Sequence, residues 1–356
     1  MTVTQLKSRM VELEGDYYEM GEQYGRVCRQ AIRAAFITNA RITEFYTGLK
    51  AAQCAKRVEH FIPYLEETVP DLCDEVRGIA AGTGLGYTHM LAFQFHGRDL
   101  GGVGGCTMVH LHPGETGGPS ITGQTVDWTP SLERYYHVVA RRPNKGLDTV
   151  QYTLAGLLGL IGKNEKGTSV FMNILLTSEK IRVGIPAYLM LRLLMEQPSL
   201  ADALDALTRA RRTSPFNFMV SAGDGAFNAE SSASHLQITD IGHRNYVHTN
   251  HCLRKPMSQE DSYTKTVRSD ETLHRYDRMR AILRRKKAPI RDVESLFSLL
   301  KDHEDYPDSI CRHARTGFPS SGRMKTLGAV LMKDGEDGIW VAHGNPCESS
   351  LEFYSL

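Results

Sequence analysis

The hydrophobic pattern of the chain changes abruptly at residues 101–106, and this change constrains the fold more than any other sequence feature. From residue 16 to residue 100, apolar side chains recur at helical spacing, as at Met20 and Tyr24. From Cys106 onward, short apolar runs of strand length alternate with turn-forming segments. The sequence therefore predicts a helical N-terminal segment followed by an antiparallel sheet.

The second half of the chain mixes further strands with predicted helices. The helices span residues 187–196, 201–211, 271–286 and 292–301. Two strand-like runs, at 326–333 and 338–344, close the chain. Because helices recur between groups of strands, the pattern indicates an α+β sandwich whose antiparallel strands lie between helical layers.

The composition gives no sign of a nucleic-acid or membrane partner. The 356-residue chain has a formal net charge of +1, so it has no general electrostatic attraction for polyanions. Residues 1–15 lack the apolar core of a secretory signal, and no apolar stretch approaches the roughly 20 residues that span a bilayer. The sequence predicts a cytoplasmic protein that acts on a small molecule.

Seven cysteines are spread along the chain, an odd number without a CxxC pair. They are Cys28, Cys54, Cys73, Cys106, Cys252, Cys311 and Cys347. This spacing argues against a disulfide framework and against a cysteine-rich zinc module. At least one thiol is expected to be free.

Cys106 follows glycines at positions 101, 102, 104 and 105 and opens the first predicted strand. Glycine allows backbone conformations with positive φ, and such strain occurs where a chain turns sharply or holds a reactive peptide bond. The same pattern is also that of a flexible connector followed by a buried cysteine. The residues alone leave both interpretations open.

Five motifs in order along the chain resemble those of one enzyme family. They are Gly105-Cys106-Thr107, Gly123-Gln124-Thr125-Val126-Asp127-Trp128, a Gly-x-Asn-x-x-Gly turn with its following strand at 162–173, Thr249-Asn250-His251 and Cys311-Arg312-His313. With them the sequence resembles the penicillin acyltransferase (isopenicillin-N acyltransferase) family of cysteine N-terminal-nucleophile (Ntn) hydrolases. The resemblance runs from the segment at 17–27 to the Gly-Asn-Pro-Cys segment at 344–347.

The resemblance implies the Ntn αββα sandwich, in which two antiparallel sheets pack between helical layers. It also implies self-cleavage of an inactive precursor, where the Cys106 thiol attacks the Gly105 carbonyl carbon and water hydrolyses the resulting thioester. The products would be a helical α chain of residues 1–105 and a β chain of residues 106–356, together forming one Ntn domain. The predicted assembly is this α/β heterodimer, alone or within a higher oligomer.

The chemistry of an N-terminal cysteine supports that arrangement independently of the family. A free thiol has a pKa of about 8.5 and an α-amine titrates at about 8, so the amine accepts the thiol proton near neutral pH. Cleavage frees that amine on the residue that carries the thiol. One residue then supplies both nucleophile and base, and no separate histidine base is needed.

The resemblance assigns roles to further residues. Asp127 would hold the α-ammonium of Cys106 by a charge-assisted hydrogen bond. Asn250 would donate its side-chain amide, and Asn173 its backbone N–H, to the oxyanion of the tetrahedral intermediate. Arg312 would stabilise the thiolate or bind a substrate carboxylate. Without the family, a strand-end aspartate, turn asparagines and a surface arginine are equally compatible with structural roles.

Three further positions are predicted to contact substrate, namely Thr107, Glu230 and Cys311. Glu230 fits a strand of the family and is also compatible with pairing to an internal arginine. Cys311 stands where the penicillin enzyme has a serine. The identity of the substrate is therefore not carried over from that enzyme.

Two histidine pairs invite comparison with zinc sites, His110 with His112 and His248 with His251. Histidines two residues apart on a strand point to the same face of the sheet, and this occurs on ordinary polar surfaces as well as in metal sites. The sequence also contains no HExxH motif. The sequence therefore predicts no metal.

The predicted activity is that of an amidohydrolase or acyltransferase that forms an acyl-thioester on Cys106 and passes the acyl group to water or to an amine. No cofactor is predicted because the sequence has neither a GxGxxG motif nor a P-loop, although an acyl-CoA co-substrate is compatible with the chemistry. Two alternatives stay open. One is a cysteine–histidine hydrolase that does not cleave itself, and the other is a non-catalytic binding protein with the same fold.

Overall fold

The computed structural model describes residues 9–95, 105–223, 225–262, 269–286, 288–315, 317 and 323–356. The glycines at 101, 102 and 104 lie outside these ranges. Before Cys106 the described elements are β1 (Met10–Gly15), α1 (Tyr17–Val27), α2 (Arg29–Thr47), α3 (Ala51–Val58), α4 (Ile62–Thr68), α5 (Pro70–Thr83) and α6 (Tyr87–Phe93). The helical segment predicted from residue 16 onward is confirmed as far as α6.

An eight-stranded sheet, called sheet A, has the order β1-β4-β5-β6-β7-β8-β9-β10. Its strands after β1 are β4 (Tyr136–Pro143), β5 (Thr149–Leu154), β6 (Ile161–Asn164), β7 (Ser169–Ile174), β8 (Phe216–Ala222), β9 (Gly225–Ser231) and β10 (Leu236–Asp240). The pair β1–β4 is parallel, with Val11 opposite Val139, and the other neighbouring strands are antiparallel.

A six-stranded antiparallel sheet, called sheet B, has the order β11-β2-β3-β12-β13-β14. Its strands are β2 (Met108–Leu111), β3 (Ile121–Trp128), β11 (Tyr246–His248), β12 (Lys325–Lys333), β13 (Gly338–His343) and β14 (Glu352–Ser355). β2 and β3 lie inside this sheet, so the residues just before β2 are placed at its interior.

Helices cover the outer faces of both sheets. The remaining helices are α7 (Pro113–Thr116), α8 (Ala187–Met195), α9 (Leu200–Arg209), α10 (Met257–Glu260), α11 (Ser269–Arg285) and α12 (Val293–Leu299). α1, α8 and α9 pack on sheet A, whereas α11 and α12 pack on sheet B. The sheets contact each other through β2 with β7 and through β13 with β5. This is the αββα sandwich predicted from the sequence.

Apolar side chains of the described residues form two large cores and one small cluster of Leu175, Cys252 and Met257. The larger core includes Val138, Tyr152 and Val170 of sheet A and extends under the N-terminal helices. The second lies between sheet B and the C-terminal helices, where Val109 and Leu296 pack in one cluster. None of the helices in the described ranges has the length and apolarity of a membrane span.

Helices α1 and α5 pack at backbone contact because glycines line both surfaces. A Cβ on Gly21 would lie 2.1 Å from the Glu75 carbonyl oxygen, and a Cβ on Gly78 would lie 2.1 Å from a carbonyl oxygen of α1. Gly25 faces Gly82 in the same way, with its Cβ position 2.8 Å from the Gly82 Cα. Only glycine fits at such distances. The glycines at a spacing of four therefore fix the pairing of these two helices.

The sequence pattern did not reveal β1, β6 or β14. β1 alternates buried Val11 and Leu13 with exposed Glu12 and Glu14, which is the pattern of a half-buried strand. The strand has only six residues and precedes a long helical run, so the hydrophobic periodicity predicts only helices before Cys106. The strand instead joins the edge of sheet A, and its parallel pairing with β4 departs from the expected all-antiparallel arrangement.

Candidate active site

The Gly105–Cys106 peptide is held against the end of β3 by an extension of the β2–β3 pairing. The Gly105 N–H donates to the Asp127 carbonyl oxygen at 2.9 Å, and the Asp127 N–H donates to the Gly105 carbonyl oxygen at 2.8 Å. The Thr125 N–H donates to the Thr107 carbonyl oxygen at 3.0 Å. β3 is rich in β-branched residues and buried along its length, which favours a central strand. Cys106 is thereby fixed directly before β2.

The Cys106 side chain is buried, with only 3% of its surface exposed. Burial, and to a lesser extent the negative charge of Asp127, raises the pKa of the Cys106 thiol to about 12. Arg275 and Gln124 act in the opposite direction and only partly offset this increase. In this structure the thiol is therefore protonated at neutral pH. It needs an acceptor for its proton before it can act as a nucleophile.

Asp127 is a buried carboxyl group near this thiol. Its Oδ1 accepts a hydrogen bond from the Thr326 hydroxyl at 2.8 Å. Its Oδ2 has no hydrogen-bond partner among the residues that the structure describes. Burial raises the pKa of Asp127, although the charges of Arg275 and Arg312 oppose that shift. One carboxylate oxygen is therefore available to a new donor.

Asn250 contacts the backbone of Cys106 through its side-chain oxygen. Its Oδ1 accepts hydrogen bonds from the Cys106 N–H at 2.9 Å and from Arg275 Nη2 at 2.9 Å. Its Nδ2 donates to the Ile174 carbonyl oxygen at 3.1 Å, and its backbone N–H donates to the Thr272 hydroxyl at 2.8 Å. The structure thus brings Asn250 to the candidate nucleophile. Donation of its amide to an oxyanion stays a prediction.

The sequence pattern did not single out Arg275, a buried side chain on α11. Its Nη1 donates to the Cys106 carbonyl oxygen at 2.7 Å and to the Thr107 hydroxyl at 2.9 Å, while its Nη2 reaches Asn250. One planar guanidinium therefore connects three parts of the site. α11 carries several other arginines, so no sequence signal marked this one as inward-facing.

Two charged side chains approach Gly105 closely and would crowd a larger residue. A Cβ at this position would lie 3.2 Å from Asp127 Oδ2 and 3.3 Å from Arg312 Nη1. Arg312 is buried and forms ion pairs with Asp308, at 2.7 Å, and with Glu271. It is therefore an internal arginine at this peptide rather than part of a surface salt bridge. A substrate carboxylate bound there would compete with two resident carboxylates.

Asn173 in β7 is connected to the site less directly. Its Oδ1 accepts a hydrogen bond from Asn217 Nδ2 at 3.1 Å. Its neighbours Met172 and Ile174 line the cavity beside Cys106, and successive side chains of a strand point to opposite faces. The Asn173 side chain therefore projects to the other face of β7. The predicted role of its backbone N–H stays a prediction.

Glu230 organises the segment that follows β11. Its Oε1 accepts hydrogen bonds from His248 Nε2 at 2.9 Å and from the Leu253 N–H at 2.6 Å, and its Oε2 accepts from the Arg254 N–H at 2.8 Å. Burial acts to raise the pKa of Glu230, but these donors together lower it. Its side-chain partner is thus a histidine rather than an arginine, and the turn that it shapes carries Asn250.

The other two positions predicted to contact substrate also have internal partners. The Thr107 hydroxyl accepts from Arg275, so Thr107 supports the arginine that contacts Cys106. The Cys311 sulphur lies 3.5 Å from the sulphur of Cys347. Contact of either residue with a substrate stays a prediction.

A small apolar cavity adjoins the Gly105–Cys106 peptide. Its lining residues are Gly105, Cys106, Val126, Asp127, Trp128, Tyr136, Leu160, Ile161, Met172 and Ile174. Most of this wall is aliphatic or aromatic, and such a recess suits an apolar acyl group better than a charged one.

Comparison with known proteins connects this arrangement to one family. The model of the acyl-coenzyme A:6-aminopenicillanic acid acyl-transferase family matches residues 114–348, about two thirds of the chain. The chain belongs to this family. The matched range contains Asp127, Asn173, Asn250 and Arg312 and begins after Cys106.

A curated relative extends the similarity of this acyl-transferase family member toward its N-terminus. The acyl-coenzyme A:6-aminopenicillanic-acid-acyltransferase 40 kDa form of Emericella nidulans is 27% identical over 330 residues, covering 86% of this chain and 85% of the relative.

Solved structures with similar folds include a penicillin V acylase from Agrobacterium tumefaciens, at 11% identity and a TM-score of 0.47 over 70% of this chain and 86% of that one. A mutant form of conjugated bile acid hydrolase from Clostridium perfringens has 14% identity and a TM-score of 0.43 over 70% of this chain and 97% of that one.

Proposed function

We propose that the protein is a self-cleaving cysteine amidohydrolase or acyltransferase whose nucleophile is Cys106. The observation that carries this proposal is the hydrogen bonding of the Gly105–Cys106 peptide. Its carbonyl oxygen accepts from the Asp127 N–H at 2.8 Å, and its N–H donates to Asn250 Oδ1 at 2.9 Å. A buried peptide held at both ends beside a thiol is arranged for an intramolecular reaction.

In the first step the Cys106 sulphur attacks the Gly105 carbonyl carbon, and the thiol proton passes to a nearby base. The Asp127 N–H stabilises the oxyanion that forms on the carbonyl oxygen. The C–N bond then breaks, the Cys106 nitrogen takes up a proton to become an amine, and a thioester joins Gly105 to the sulphur. Water attacks that thioester, releasing the Gly105 carboxylate and the thiol.

The new α-amine of Cys106 is formed beside two acceptors. Asn250 Oδ1 already binds the same nitrogen in the uncut chain, and Asp127 Oδ2 has no hydrogen-bond partner among the described residues. A buried carboxylate stabilises an α-ammonium group strongly, since both groups are shielded from water. These contacts hold the amine close to its own thiol, where it serves as the base for later turnovers.

The two chains produced by the cut stay together as one folded unit in this proposal. β1 pairs with β4 over six residues, and the core that includes α1, α2 and α5 continues into sheet A. Glu75 of α5 also forms a buried ion pair with Arg141 of β4, at 2.5 Å between Oε1 and Nε. The N-terminal chain therefore contributes core structure that the C-terminal chain lacks.

The mature enzyme would act on an amide or thioester whose acyl part enters the apolar cavity. The Cys106 sulphur attacks the acyl carbon, the amine or thiol of the donor leaves with a proton, and an acyl-thioester remains. Water or an amine acceptor then takes the acyl group and restores the thiol. The name of the Emericella relative makes acyl-CoA a donor to test and an amine bearing a carboxylate an acceptor to test.

The surroundings of the thiol favour this mechanism over a cysteine–histidine pair. The largest influences on the pKa of Cys106 are burial and then Asp127, Arg275, Gln124 and the backbone of Ile174. None of these groups is a histidine. A non-catalytic protein would have no need for the unpartnered oxygen of Asp127 at this peptide.

Trapping the acyl-enzyme tests the proposed activity. Purified protein is incubated with acyl-CoA or with aryl amides of increasing acyl length, and adducts are mapped by peptide mass spectrometry with and without hydroxylamine. The proposal predicts an acyl adduct on Cys106 that hydroxylamine removes and that an amine acceptor discharges. The Cys54→Ala variant should retain the adduct and Cys106→Ala should lose it. Adducts that persist in Cys106→Ala would contradict the assignment of the nucleophile.

A further inference from the structure

Two cysteines and two histidines converge at a place that the proposed chemistry does not use. They are His303, Cys311, His313 and Cys347, and their ligand atoms all lie within 4.8 Å of one another. The first three belong to the loop between α12 and β12, and Cys347 belongs to the turn after β13. Cys311 is buried and His313 half-buried, whereas His303 and Cys347 are exposed, so the cluster is open to ions from solvent.

Four of the six distances between ligand atoms are close to those of a tetrahedral metal site. The two sulphurs lie 3.5 Å apart and the two Nε2 atoms 3.1 Å apart. His313 Nε2 lies 3.4 Å from the Cys347 sulphur and 3.8 Å from the Cys311 sulphur. A zinc ion with bonds of about 2.3 Å to sulphur and about 2.0 Å to nitrogen separates sulphurs by about 3.8 Å, sulphur from nitrogen by about 3.5 Å, and nitrogens by about 3.3 Å.

Hydrogen bonds alone do not account for this convergence. His313 Nε2 faces another imidazole nitrogen and two sulphurs at once, and a neutral imidazole has at most one N–H to share among them. The two thiols can each donate a weak hydrogen bond, but His313 Nε2 has a single site for its three neighbours. A cation at their centre would replace these weak contacts by four favourable bonds.

The surroundings of Cys311 resemble the outer shell of a thiolate bound to metal. Asn345 Nδ2 lies 3.5 Å from the Cys311 sulphur and also donates to the Arg312 carbonyl oxygen at 2.7 Å. The Cys311 N–H donates to the Asp302 carbonyl oxygen at 3.0 Å, which fixes the backbone of the same loop. Such outer contacts orient metal ligands and tune their donor strength.

We infer that these four side chains bind one zinc ion in a closed structural site. Two thiolates and two imidazoles are the donors that zinc prefers, and four protein ligands leave no open position for catalysis. The ion would tie the loop at 302–315 to the turn at 344–347. Both segments meet at Arg312, because its carbonyl oxygen accepts a hydrogen bond from Asn345 Nδ2 at 2.7 Å. The Arg312 N–H also donates to the Thr326 hydroxyl of β12 at 2.9 Å.

The zinc site therefore positions Arg312 beside Gly105, whose Cβ position lies 3.3 Å from Arg312 Nη1. This positioning role rests on the proposed self-cleavage, whereas metal binding itself does not. No sequence signal marked the site, because the ligand spacing of His-x7-Cys-x-His with a cysteine 34 residues later matches no short zinc motif.

Metal content of the purified full-length chain tests the inference. The protein is prepared under reducing conditions without a chelator, and its zinc content is measured by inductively coupled plasma mass spectrometry. One zinc per chain is expected, and titration of the metal-free, reduced chain with Co²⁺ should give the absorption bands of tetrahedral cobalt bound to thiolates. The same measurements in the Cys106→Ala background separate metal binding from self-cleavage, so failure of one proposal does not mask the other.

Exposed ligands provide variants that keep the fold. His303→Asn and Cys347→Ser should each weaken zinc affinity by about a hundredfold or more, since each removes a direct ligand. His274→Asn, another exposed histidine, and Cys54→Ser, a cysteine outside the cluster, should bind zinc as the parent does. Circular dichroism checks that each variant is folded.

Three results would each overturn the zinc site. They are a reduced chain that does not bind zinc, a cobalt spectrum without thiolate bands, and ligand variants that bind zinc as tightly as the two controls. A Cys311–Cys347 disulfide in the purified chain is the competing arrangement. It replaces the zinc site if the chain, once reduced, still binds no metal.

Discussion

Asp127 has two parts in the proposed self-cleavage, one for its backbone and one for its buried carboxyl group. Its backbone N–H contacts the carbonyl oxygen of the Gly105–Cys106 peptide, and its Oδ2 lies 3.2 Å from the Cβ position of Gly105. Burial raises the pKa of Asp127, so a larger fraction of this carboxyl group is protonated in mildly acidic solution than is usual for aspartate. In the proposed mechanism its ionised form accepts a proton from the thiol and later binds the ammonium group.

The Asp127→Asn variant tests these functions. The substitution keeps the backbone N–H and nearly the same volume but removes the charge and replaces one of the two acceptor oxygens by an NH2 donor. We expect self-cleavage to slow by about a hundredfold or more, the usual loss when a positioned acid–base group is removed. The rate is measured by gel densitometry after rapid purification at several pH values. An unchanged rate in a folded variant would show that Asp127 has no part in the reaction.

Arg275 supplies both charge and geometry, and two substitutions separate them. Arg275→Met removes a charge that lowers the pKa of Asp127, so the acid limb of the cleavage profile should move to higher pH. Arg275→Lys keeps the charge but loses the planar guanidinium that contacts Cys106, Thr107 and Asn250. The acid limb of the cleavage profile should therefore stay at the same pH while the cleavage rate falls. Identical profiles for both variants would contradict this division.

Among the residues singled out by the family motifs, the structure brings Cys106, Asp127, Asn250 and Arg312 together at the Gly105–Cys106 peptide, while their roles stay predictions. Arg275 could not be predicted, because an inward arginine on a charged helix has no local signature. The partners of Glu230 were likewise hidden, since they come from a turn more than 15 residues further along the chain, at His248, Leu253 and Arg254.

Among the secondary-structure elements, the packing of α1 on α5 depends on glycines that meet the opposite backbone. Gly78→Ala would place a methyl group 2.1 Å from a carbonyl oxygen of α1, which only a shift of the whole helix can relieve. We expect a loss of about 3 kcal/mol or more in the free energy of unfolding, the upper range for an overpacked core. Urea unfolding of the uncleavable Cys106→Ala chain measures it.

Gly118→Ala is the matched control for that substitution. No heavy atom lies within 4 Å of the Cβ position at Gly118, so alanine fits there without a clash. The free energy of unfolding should change by less than about 1 kcal/mol. Equal losses at both positions would show that the close contact of α1 with α5 does not limit stability.

Element prediction succeeded where burial is continuous and failed at edges. The runs at 121–128 and 216–222 correspond to β3 and β8 along their whole length, because both strands are nearly fully buried and contain several β-branched or aromatic residues. β14 is an edge strand with half of its residues exposed, so its pattern carries little hydrophobic signal. The parallel partner of β1 lies more than 120 residues away in sequence, so the local hydrophobic pattern cannot predict this pairing.

For the molecule as a whole, buried histidines make stability depend on pH. Burial lowers the pKa of His110, His137 and His251 to about 4 each, whereas a histidine in the unfolded chain titrates at about 6.5. Between these values the unfolded chain binds more protons than the folded chain. The free energy of unfolding therefore falls as pH falls, by up to about 1.4 kcal/mol per pH unit for each histidine.

His137→Gln isolates one of these contributions. His137 lies in the core, where Nε2 is 3.0 Å from the Tyr24 hydroxyl and Nδ1 is 3.1 Å from the Tyr135 carbonyl oxygen. Glutamine does not titrate, so the variant should lose less stability than its parent between pH 7.5 and pH 5. Urea unfolding of both chains in the Cys106→Ala background gives the comparison. Equal losses of stability in both chains would show that protonation of His137 does not contribute to the pH dependence of folding.

Self-cleavage between Gly105 and Cys106 underlies the whole proposed mechanism, and intact-mass analysis of freshly purified protein is its decisive test. Wild type is compared with Cys106→Ala, and Cys54→Ala controls for the loss of a buried cysteine elsewhere. We expect wild type and Cys54→Ala to give two chains, residues 1–105 and 106–356, while Cys106→Ala stays whole. Self-cleavage is refuted by a wild-type chain that stays whole under all conditions, or by a Cys106→Ala chain cut at the same peptide.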